Sequence, residues 1–247
     1  MMNANVAAAA AALKSLKAYD ISPVFETEMP SFWGNPPIWI IDDARTYERD
    51  SYYCQVLSIA EHVGAHVDAP AHVKEGGKSI EQYEPGHFIG TYKKYDFSVY
   101  NPAAGWEVTM KEIREVEEKA GYKAEEGDII LTCYGWDQYY KPEATGPERS
   151  FYGMNSPGLS VEVDQYFMNA KIGMIGSDTC QGTIPSVNRV SPVSPPPCHT
   201  IYFLPNDILI FEGLTNLTKI PNEGLFVVTP LNIKNGSGSP ISPIVFA

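Results

Sequence analysis

The most constraining feature of this 247-residue chain is a cluster of three histidines and one aspartate within eleven residues. His62, His66, Asp68 and His72 are separated only by small or apolar residues and by Pro70. All four lie at even positions, so an extended backbone would present them on one face. Pro70 opposes a helix through the whole segment, although one helical turn would also bring His62 and His66 together. Both an extended segment and a helical turn would bring histidine side chains together, so either conformation predicts a metal site.

The ligand types narrow the choice of ion. Imidazole with carboxylate favours Zn²⁺, Mn²⁺ or Fe²⁺, whereas oxygen-only sites suit Ca²⁺ and Mg²⁺. We predict that His62, His66 and Asp68 bind such an ion, which can lower the pKa of a bound water from about 15.7 to about 7. His72 lies next to these residues and is the candidate general acid and base. Its alternative roles are a fourth ligand or a group that supports the ligands.

Charge and composition exclude several partners. The net charge is −12 and the sequence has no cluster of Lys and Arg, so nucleic acid is not expected to bind. No apolar run reaches the length of a transmembrane helix, and no basic segment precedes the N-terminal alanines. The four cysteines form no CxxC pair and imply no disulfide framework. We therefore expect a soluble, cytoplasmic protein.

Cys198, beside His199, is interpreted as a small buried thiol, with a ligand or nucleophile as the alternative.

Periodicity and turn signals predict one α/β domain over residues 1–247, with residues 1–17 as an N-terminal helical arm. Thr109 with Glu112 forms a capping box, and Gly121 is the predicted end of that helix. A second helix is predicted over residues 160–169. Residues 179–197 form the longest irregular segment, which predicts a functional or covering loop. The predicted strands are 38–41, 53–59, 91–97, 128–134, 172–175, 207–212, 225–229 and 241–246.

Residues 62–73 resemble the signature His-x-Gly-Thr-His-x-Asp-x-Pro-x-His-Phe of the cyclase-like metal-dependent hydrolases, the kynurenine formamidase and isatin hydrolase type. Ala65 and Val73 replace the threonine and the phenylalanine, while every position that carries chemistry is kept. The resemblance continues along most of the chain, at residues 20–23, 29–30, 32–37, 130–136, 176–179, 199 and 210–214.

This resemblance implies the family's swivelling β/β/α fold and a homodimer or homotetramer. It also implies that Asp68, His199 and Glu212 hold a second ion, so that one or two Zn²⁺ or Mn²⁺ ions bind per chain. His72 would then carry protons, and Asp178 would support the ligands from behind. From the residues alone, Glu212 is equally well a buried strand carboxylate satisfied by hydrogen bonds.

The family resemblance also implies a substrate class. Its members hydrolyse formamides, cyclic amides or lactones of small, often aromatic molecules. Phe32, Trp33 and Trp136 are candidate walls for a flat substrate, with ordinary packing as the alternative. The departures from the family pattern lie on the substrate side and oppose a strict kynurenine formamidase. We expect an arylformamidase-like or isatin hydrolase-like enzyme for a small molecule.

Two other classes remain open at the level of sequence. His66, Asp68 and His199 could form the two-His, one-carboxylate site of an Fe(II) oxygenase. However, no arginine follows Arg189 to hold 2-oxoglutarate, and the other histidines are unexplained. The second alternative is a non-catalytic protein that closes four ligands around a structural ion.

Overall fold

A nine-stranded mixed sheet organises the computed structural model, which describes residues 3–27, 29–30, 38–180 and 196–247. The strands in chain order are β1 (Ala18–Asp20), β2 (Trp39–Arg45), β3 (Cys54–Ser58), β4 (His66–Asp68), β5 (Ile89–Asp96), β6 (Glu107–Val108), β7 (Ile129–Cys133), β8 (Gly158–Leu159), β9 (Met174–Ser177), β10 (Leu209–Glu212), β11 (Glu223–Val227), β12 (Gly238–Pro240) and β13 (Ile244–Phe246). The helices are α1 (Ala4–Ser15), α2 (Tyr47–Asp50), α3 (Met110–Ala120), α4 (Gly146–Met154) and α5 (Val161–Asn169).

The strand order of the large sheet is β1-β13-β11-β5-β7-β9-β10-β4-β12. Its centre, from β5 to β10, is parallel, and the strands on either side pair antiparallel. Two small pairs lie apart from it, the antiparallel hairpin β2–β3 and the parallel pair β6–β8. Strands from both ends of the chain therefore share one sheet, and the predicted α/β class is confirmed.

A hydrogen bond between distant parts of the sheet and one short connection curl the sheet. Ile21, just after the edge strand β1, donates its N–H to Pro243 O at 3.3 Å and accepts one from Thr215 at 2.9 Å. Thr215 follows β10, which lies near the opposite edge of the strand order. The edge strand β12 is followed after only three residues by β13, which lies beside the opposite edge. The two edges of the sheet are thereby brought toward each other.

Each face of the sheet supports a separate apolar core. Alternate residues of a strand point to opposite faces, so β10 sends Phe211 to one core and Ile210 to the other. The first core also contains Val67 of β4. The second core lies between the sheet and helices α3 and α5 and includes Ile113, Val163 and Phe167.

The helix signals of the sequence are accurate at α3 and α5. The Glu112 carboxylate accepts the N–H of Thr109 at 2.9 Å, and Gly121 ends α3 at φ 78°. The side chain of Ser160 caps α5 by accepting the N–H of Val163 at 3.3 Å. The predicted arm is also a helix, α1, and none of its described residues is buried.

The strand bounds differ more from their predictions. β2 continues to Arg45 because it pairs with β3 beyond the short apolar run that predicted it. The predicted strand 241–246 is reduced to β13, and the preceding β12 contains Gly238 and Pro240, which carry no strand signal. Most of the predicted loop 179–197 lies outside the described residues. No helix in the described part of the chain is long and apolar enough to cross a membrane. A cytoplasmic location stays a prediction.

Candidate metal centre

The backbone of β4 and β10 places three polar side chains together. His66 and Asp68 lie on the same face of β4, and Val67 between them packs into the core on the other face. In the antiparallel pair of β10 with β4, Glu212 lies directly opposite His66. All three polar side chains are buried. The extended backbone predicted for this part of the cluster is observed.

His62 and His72 flank β4 and lie on neither a common strand nor a common helix. His62 precedes a bend in which Gly64 adopts φ 61°, and His72 ends the short turn Pro70–His72. The bend turns the chain back so that the ring centroids of His62 and His72 lie 3.9 Å apart, with a 35° tilt. His62 and His72 are therefore neighbours in space, although β4, which carries His66 and Asp68, lies between them in the sequence.

His199 enters the cluster from a distant part of the sequence. It lies in a π-helical turn, Cys198–Tyr202, of the kind that often marks a functional site. Its Nε2 atom lies 3.1 Å from Asp68 Oδ2 and 3.2 Å from Glu212 Oε1. The structure therefore brings all six predicted catalytic and metal-ligating residues together, namely His62, His66, Asp68, His72, His199 and Glu212.

A backbone hydrogen bond orients the ring of His66. Its Nδ1–H donates to Gly64 O at 2.9 Å, so Nε2 faces the carboxylates, as a donor in the charged ring and as a potential metal ligand in the neutral one. That Nε2 lies 3.4 Å from Asp68 Oδ1 and 3.5 Å from Glu212 Oε2. A ring held by one nitrogen with the other facing carboxylates is the arrangement of a metal-ligating histidine.

His62 is held in a similar way by side chains. Ser237 Oγ donates to Glu61 Oε2 at 2.5 Å, so its oxygen accepts the Nε2–H of His62 at 2.8 Å. This leaves the Nδ1 atom of His62 facing Asp68 Oδ1 at 2.7 Å. Gly238 makes room for the ring, since a Cβ atom there would lie 2.6 Å from Cε1 of His62.

Burial and the neighbouring histidines have opposite effects on the pKa values of the carboxyl groups of Asp68 and Glu212. Burial alone would raise the pKa of Asp68, but hydrogen bonds from His199 and His62 hold it well below its usual value. Burial also acts to raise the pKa of Glu212, and the nearby rings of His199 and His66 lower it overall. Both groups are therefore anionic inside the protein. Buried anions require a cationic partner.

The acidic groups around His66 and His199 raise the pKa values of these two histidines. Burial would lower the pKa of His66, but Asp68 and Glu212 raise it overall. The pKa of His199 is raised well above its usual value, because the nearby Cys198, Asp68 and Glu212 outweigh burial.

His72 behaves differently from these two rings. Burial lowers its pKa to about 4, and the neighbouring His62 and His199 add to this effect, while Asp68 opposes it. His72 is therefore neutral at neutral pH.

The donor set fits a divalent cation. The residues form two groups, and within each group the potential ligand atoms lie within 4.8 Å of one another. The first group is His62, Asp68 and His72, and the second is His66, Asp68 and Glu212. Asp68 belongs to both groups, as expected for a bridging carboxylate. Oε1 of Glu212 is buried and accepts no hydrogen bond of good geometry from the described residues. The division of the ligands between two ions, predicted as His62, His66, Asp68 and Asp68, His199, Glu212, stays a prediction.

Asp178 bonds to the backbone of the chain segment that follows β7. Its carboxylate accepts the N–H groups of Tyr134 at 2.9 Å and Trp136 at 3.1 Å, just after β7. Burial raises the pKa of Asp178 to about 7. The residue therefore holds the turn that follows β7, and its support of the metal ligands stays a prediction.

The structure describes only one of the three aromatic residues predicted to contact the substrate. Trp136 is 1% exposed, packs against Tyr139 and Phe151, and donates its indole N–H to Tyr152 O at 2.9 Å. Its ring is therefore part of the core in this structure, and contact with a substrate stays a prediction. Phe32 and Trp33 lie outside the described residues.

The sequence analysis did not identify Ser237 and Glu61. Ser237 was visible only within a glycosylation-like Asn-Gly-Ser triplet, and it lies 175 residues from its partner His62. Glu61 directly precedes His62, which was the only local signal. Cys198 is buried as predicted, yet its Sγ lies 3.0 Å from Nδ1 of His199, so the thiol also holds a predicted ligand.

The Cyclase family model matches residues 19–181 of the chain. An isatin hydrolase from Roseibium aggregatum is 28% identical over 221 residues, which cover 86% of this chain and 82% of that protein. A kynurenine formamidase from Salinibacter ruber is 22% identical over 207 residues, covering 84% of this chain and 86% of that protein.

Solved structures agree with these relatives in fold. An isatin hydrolase bound to the product analogue thioisatinate superposes with a TM-score of 0.85 at 23% identity, over 100% of this chain and 99% of that one. A potential metal-dependent hydrolase with cyclase activity gives a TM-score of 0.67 at 20% identity, covering 94% and 98%. The predicted fold type is confirmed.

Proposed function

The chain belongs to the Cyclase family, and from this premise we propose that it is a metal-dependent hydrolase that cleaves an amide or cyclic amide bond of a small molecule. The observation that carries the proposal is the position of Asp68, a buried carboxylate shared by two groups of potential ligands. The isatin hydrolase and kynurenine formamidase among its relatives support the bond type.

The ligands divide between two positions in this proposal. His62, His66 and Asp68 would hold one Zn²⁺ or Mn²⁺ ion, and Asp68, His199 and Glu212 would hold a second. When bound, such an ion polarises a carbonyl group and lowers the pKa of water. The fixed rings of His62 and His66 direct Nδ1 and Nε2, respectively, toward Asp68, so the ligands need little rearrangement to bind.

His72 is the proton carrier in the proposed reaction. Its lowered pKa keeps the ring neutral, and its position beside His62 and Asp68 places it at the cluster. It would take the proton lost by the attacking water and deliver it to the leaving nitrogen as the C–N bond breaks.

Asp68 and Glu212 place two negative charges in the buried cluster, and these charges favour binding of the proposed cations. Phe32 and Trp33 remain the predicted aromatic walls. The second carboxylate, Glu212, has no role in a two-His, one-carboxylate oxygenase, and this favours the hydrolase.

The test is a hydrolysis panel on protein loaded with Zn²⁺ or Mn²⁺. N-formylkynurenine, isatin, cyclic imides and dienelactones cover the formamide, cyclic amide and lactone classes. We expect turnover of at least one amide, lost in Asp68→Asn and kept in Asp96→Asn, whose carboxylate instead bonds Ser98 and Lys94. Absence of turnover across the panel by metal-loaded protein, or unchanged turnover in Asp68→Asn, would contradict the proposal.

A further inference from the structure

A cleft of about 940 Å³ lies on the helical side of the sheet, apart from the metal centre. Residues of α3, α5, β5 and β11 line it, and none of the six residues of the metal-binding cluster does. Its volume is in the range of pockets that hold small organic molecules. The cleft is therefore a candidate binding site that the proposed hydrolysis does not use.

Glu117 of α3 is the buried acidic group of this cleft. It is 7% exposed, and its Oε1 atom accepts the hydroxyl protons of Tyr95 at 2.8 Å and Tyr166 at 2.5 Å. Burial, followed by the Glu117 carboxylate, raises the pKa of both tyrosines, so each hydroxyl keeps the proton that it donates. Oε2 of Glu117 accepts no hydrogen bond from the described residues and is not sealed from solvent, which places it toward the cleft. The two tyrosines thus hold a carboxylate with one oxygen open to a ligand.

Arg114 supplies a positive charge one turn earlier on α3. It is exposed and lines the same cleft. Glu117 and Glu118 follow it at the two spacings at which ion pairs form along a helix. Even so, the guanidinium group of Arg114 forms no ion pair with the described residues. A guanidinium group and a carboxylate oxygen therefore line one cleft without neutralising each other.

The other charges of the cleft are also mixed in sign. Lys93 is already paired with Glu125 at 2.7 Å and with Asp128 at 2.8 Å. Lys123 and Glu223 add one charge of each sign to the lining. A ligand with a single charge would meet both attraction and repulsion here, whereas a zwitterion can place each of its charges beside an opposite one. The lining therefore favours a zwitterion.

We propose that this cleft binds a free α-amino acid with an apolar side chain. The carboxylate of the ligand pairs with Arg114, because a planar guanidinium group offers two parallel N–H donors to a carboxylate. The ammonium group of the ligand donates to Oε2 of Glu117. The side chains of Met110, Tyr122 and Tyr166 line the same cleft and supply apolar surface for the side chain of the ligand.

Isothermal titration calorimetry of the full chain with L-phenylalanine tests the proposal. Phenethylamine lacks the carboxylate of this probe and phenylpropionate lacks its ammonium group, so the three compounds separate a zwitterion site from a site for one charge. We expect L-phenylalanine to bind, and each single-charge compound to bind about tenfold or more weakly. Absence of L-phenylalanine binding, or a single-charge compound that binds equally well, overturns the proposal.

Two variants test whether this binding occurs in the cleft. We expect Arg114→Gln and Glu117→Gln each to weaken L-phenylalanine binding about tenfold or more. Arg114 is exposed, so its replacement leaves the fold intact even if the buried Glu117→Gln does not. Lys119→Gln and Glu115→Gln are the matched controls, because they remove the same charges from α3 but line a different cleft, and they should bind like wild type. Wild-type affinity in Arg114→Gln overturns the proposal. No step depends on hydrolysis, so the proposed function stands or fails separately.

Discussion

Ser237 holds His62 by the ring nitrogen that faces away from Asp68, with 2.8 Å between Oγ of Ser237 and Nε2 of His62. The same hydroxyl donates to Glu61 at 2.5 Å, so the serine can only accept from the imidazole. The contact therefore holds the His62 ring with its Nδ1 atom toward Asp68, 2.7 Å from Oδ1. It is a positioning contact for the proposed metal ligand.

Removing this hydroxyl should weaken metal binding. Ser237→Ala frees the His62 ring to rotate or change tautomer, and losses of such supporting contacts cost about 10–100-fold in metal affinity. Competition with a chromophoric chelator measures the dissociation constant. Ser239→Ala is the control, because Ser239 is buried but bonds the backbone of Leu231 and Pro240. Equal affinities of Ser237→Ala and wild type would remove the positioning role.

Metal removal should lower thermal stability. An ion present at about 100 times its dissociation constant stabilises the folded state by about 2.7 kcal/mol, which corresponds to several degrees in Tm for a chain of this size. Differential scanning calorimetry with and without a chelator measures the shift. Asp68→Asn should show no response to the chelator, because Asp68 belongs to both groups of ligand atoms. A chelator response of wild-type size in that variant contradicts the site.

Replacement of His72 separates proton transfer from metal binding. His72→Ala should retain its metal content and lose about 10²–10⁴-fold in kcat, the usual contribution of a general acid and base. His87→Ala is the matched control, since His87 packs beside Tyr83 and Phe88 instead of the cluster. Loss of metal from His72→Ala would instead assign His72 as a ligand.

Asp178 should make the stability of the protein depend on pH. Its pKa is raised by burial from 3.8 to about 7 in the folded state, so folding favours the protonated form. The resulting stabilisation is complete below about pH 4 and is lost as pH rises through about 7, with a slope of at most about 1.4 kcal/mol per pH unit.

Urea unfolding of metal-free protein at a series of pH values measures this dependence. The difference in unfolding free energy between wild type and Asp178→Asn should shift against wild type from about pH 4 to about pH 7, because asparagine does not titrate. A difference that stays constant across this range would show that the Asp178 carboxyl has an ordinary pKa.

Local signals predicted much of the fold and the centre of the site. The capping box of Thr109 and Glu112 fixed the start of α3 because both partners are three residues apart. The spacing of His66 and Asp68 likewise placed them on one face of β4, since alternation along a strand depends only on local geometry.

What the sequence could not predict depends on contacts between distant residues. The pairing of Glu212 opposite His66 is set by the register of β10 with β4. The support of His62 by Ser237 arises because β12 lies beside β4 in the curled sheet. Ser237 lies in a glycine-rich segment, and no local sequence signal indicates that it lies beside β4 or contacts His62.

Elemental analysis of the purified protein tests the central claim most directly. After growth and dialysis with Zn²⁺ or Mn²⁺, we predict one or two ions bound per wild-type chain and none retained by Asp68→Asn. A wild-type protein that retains no divalent ion under these conditions, or an Asp68→Asn protein that retains the full amount, would contradict the account.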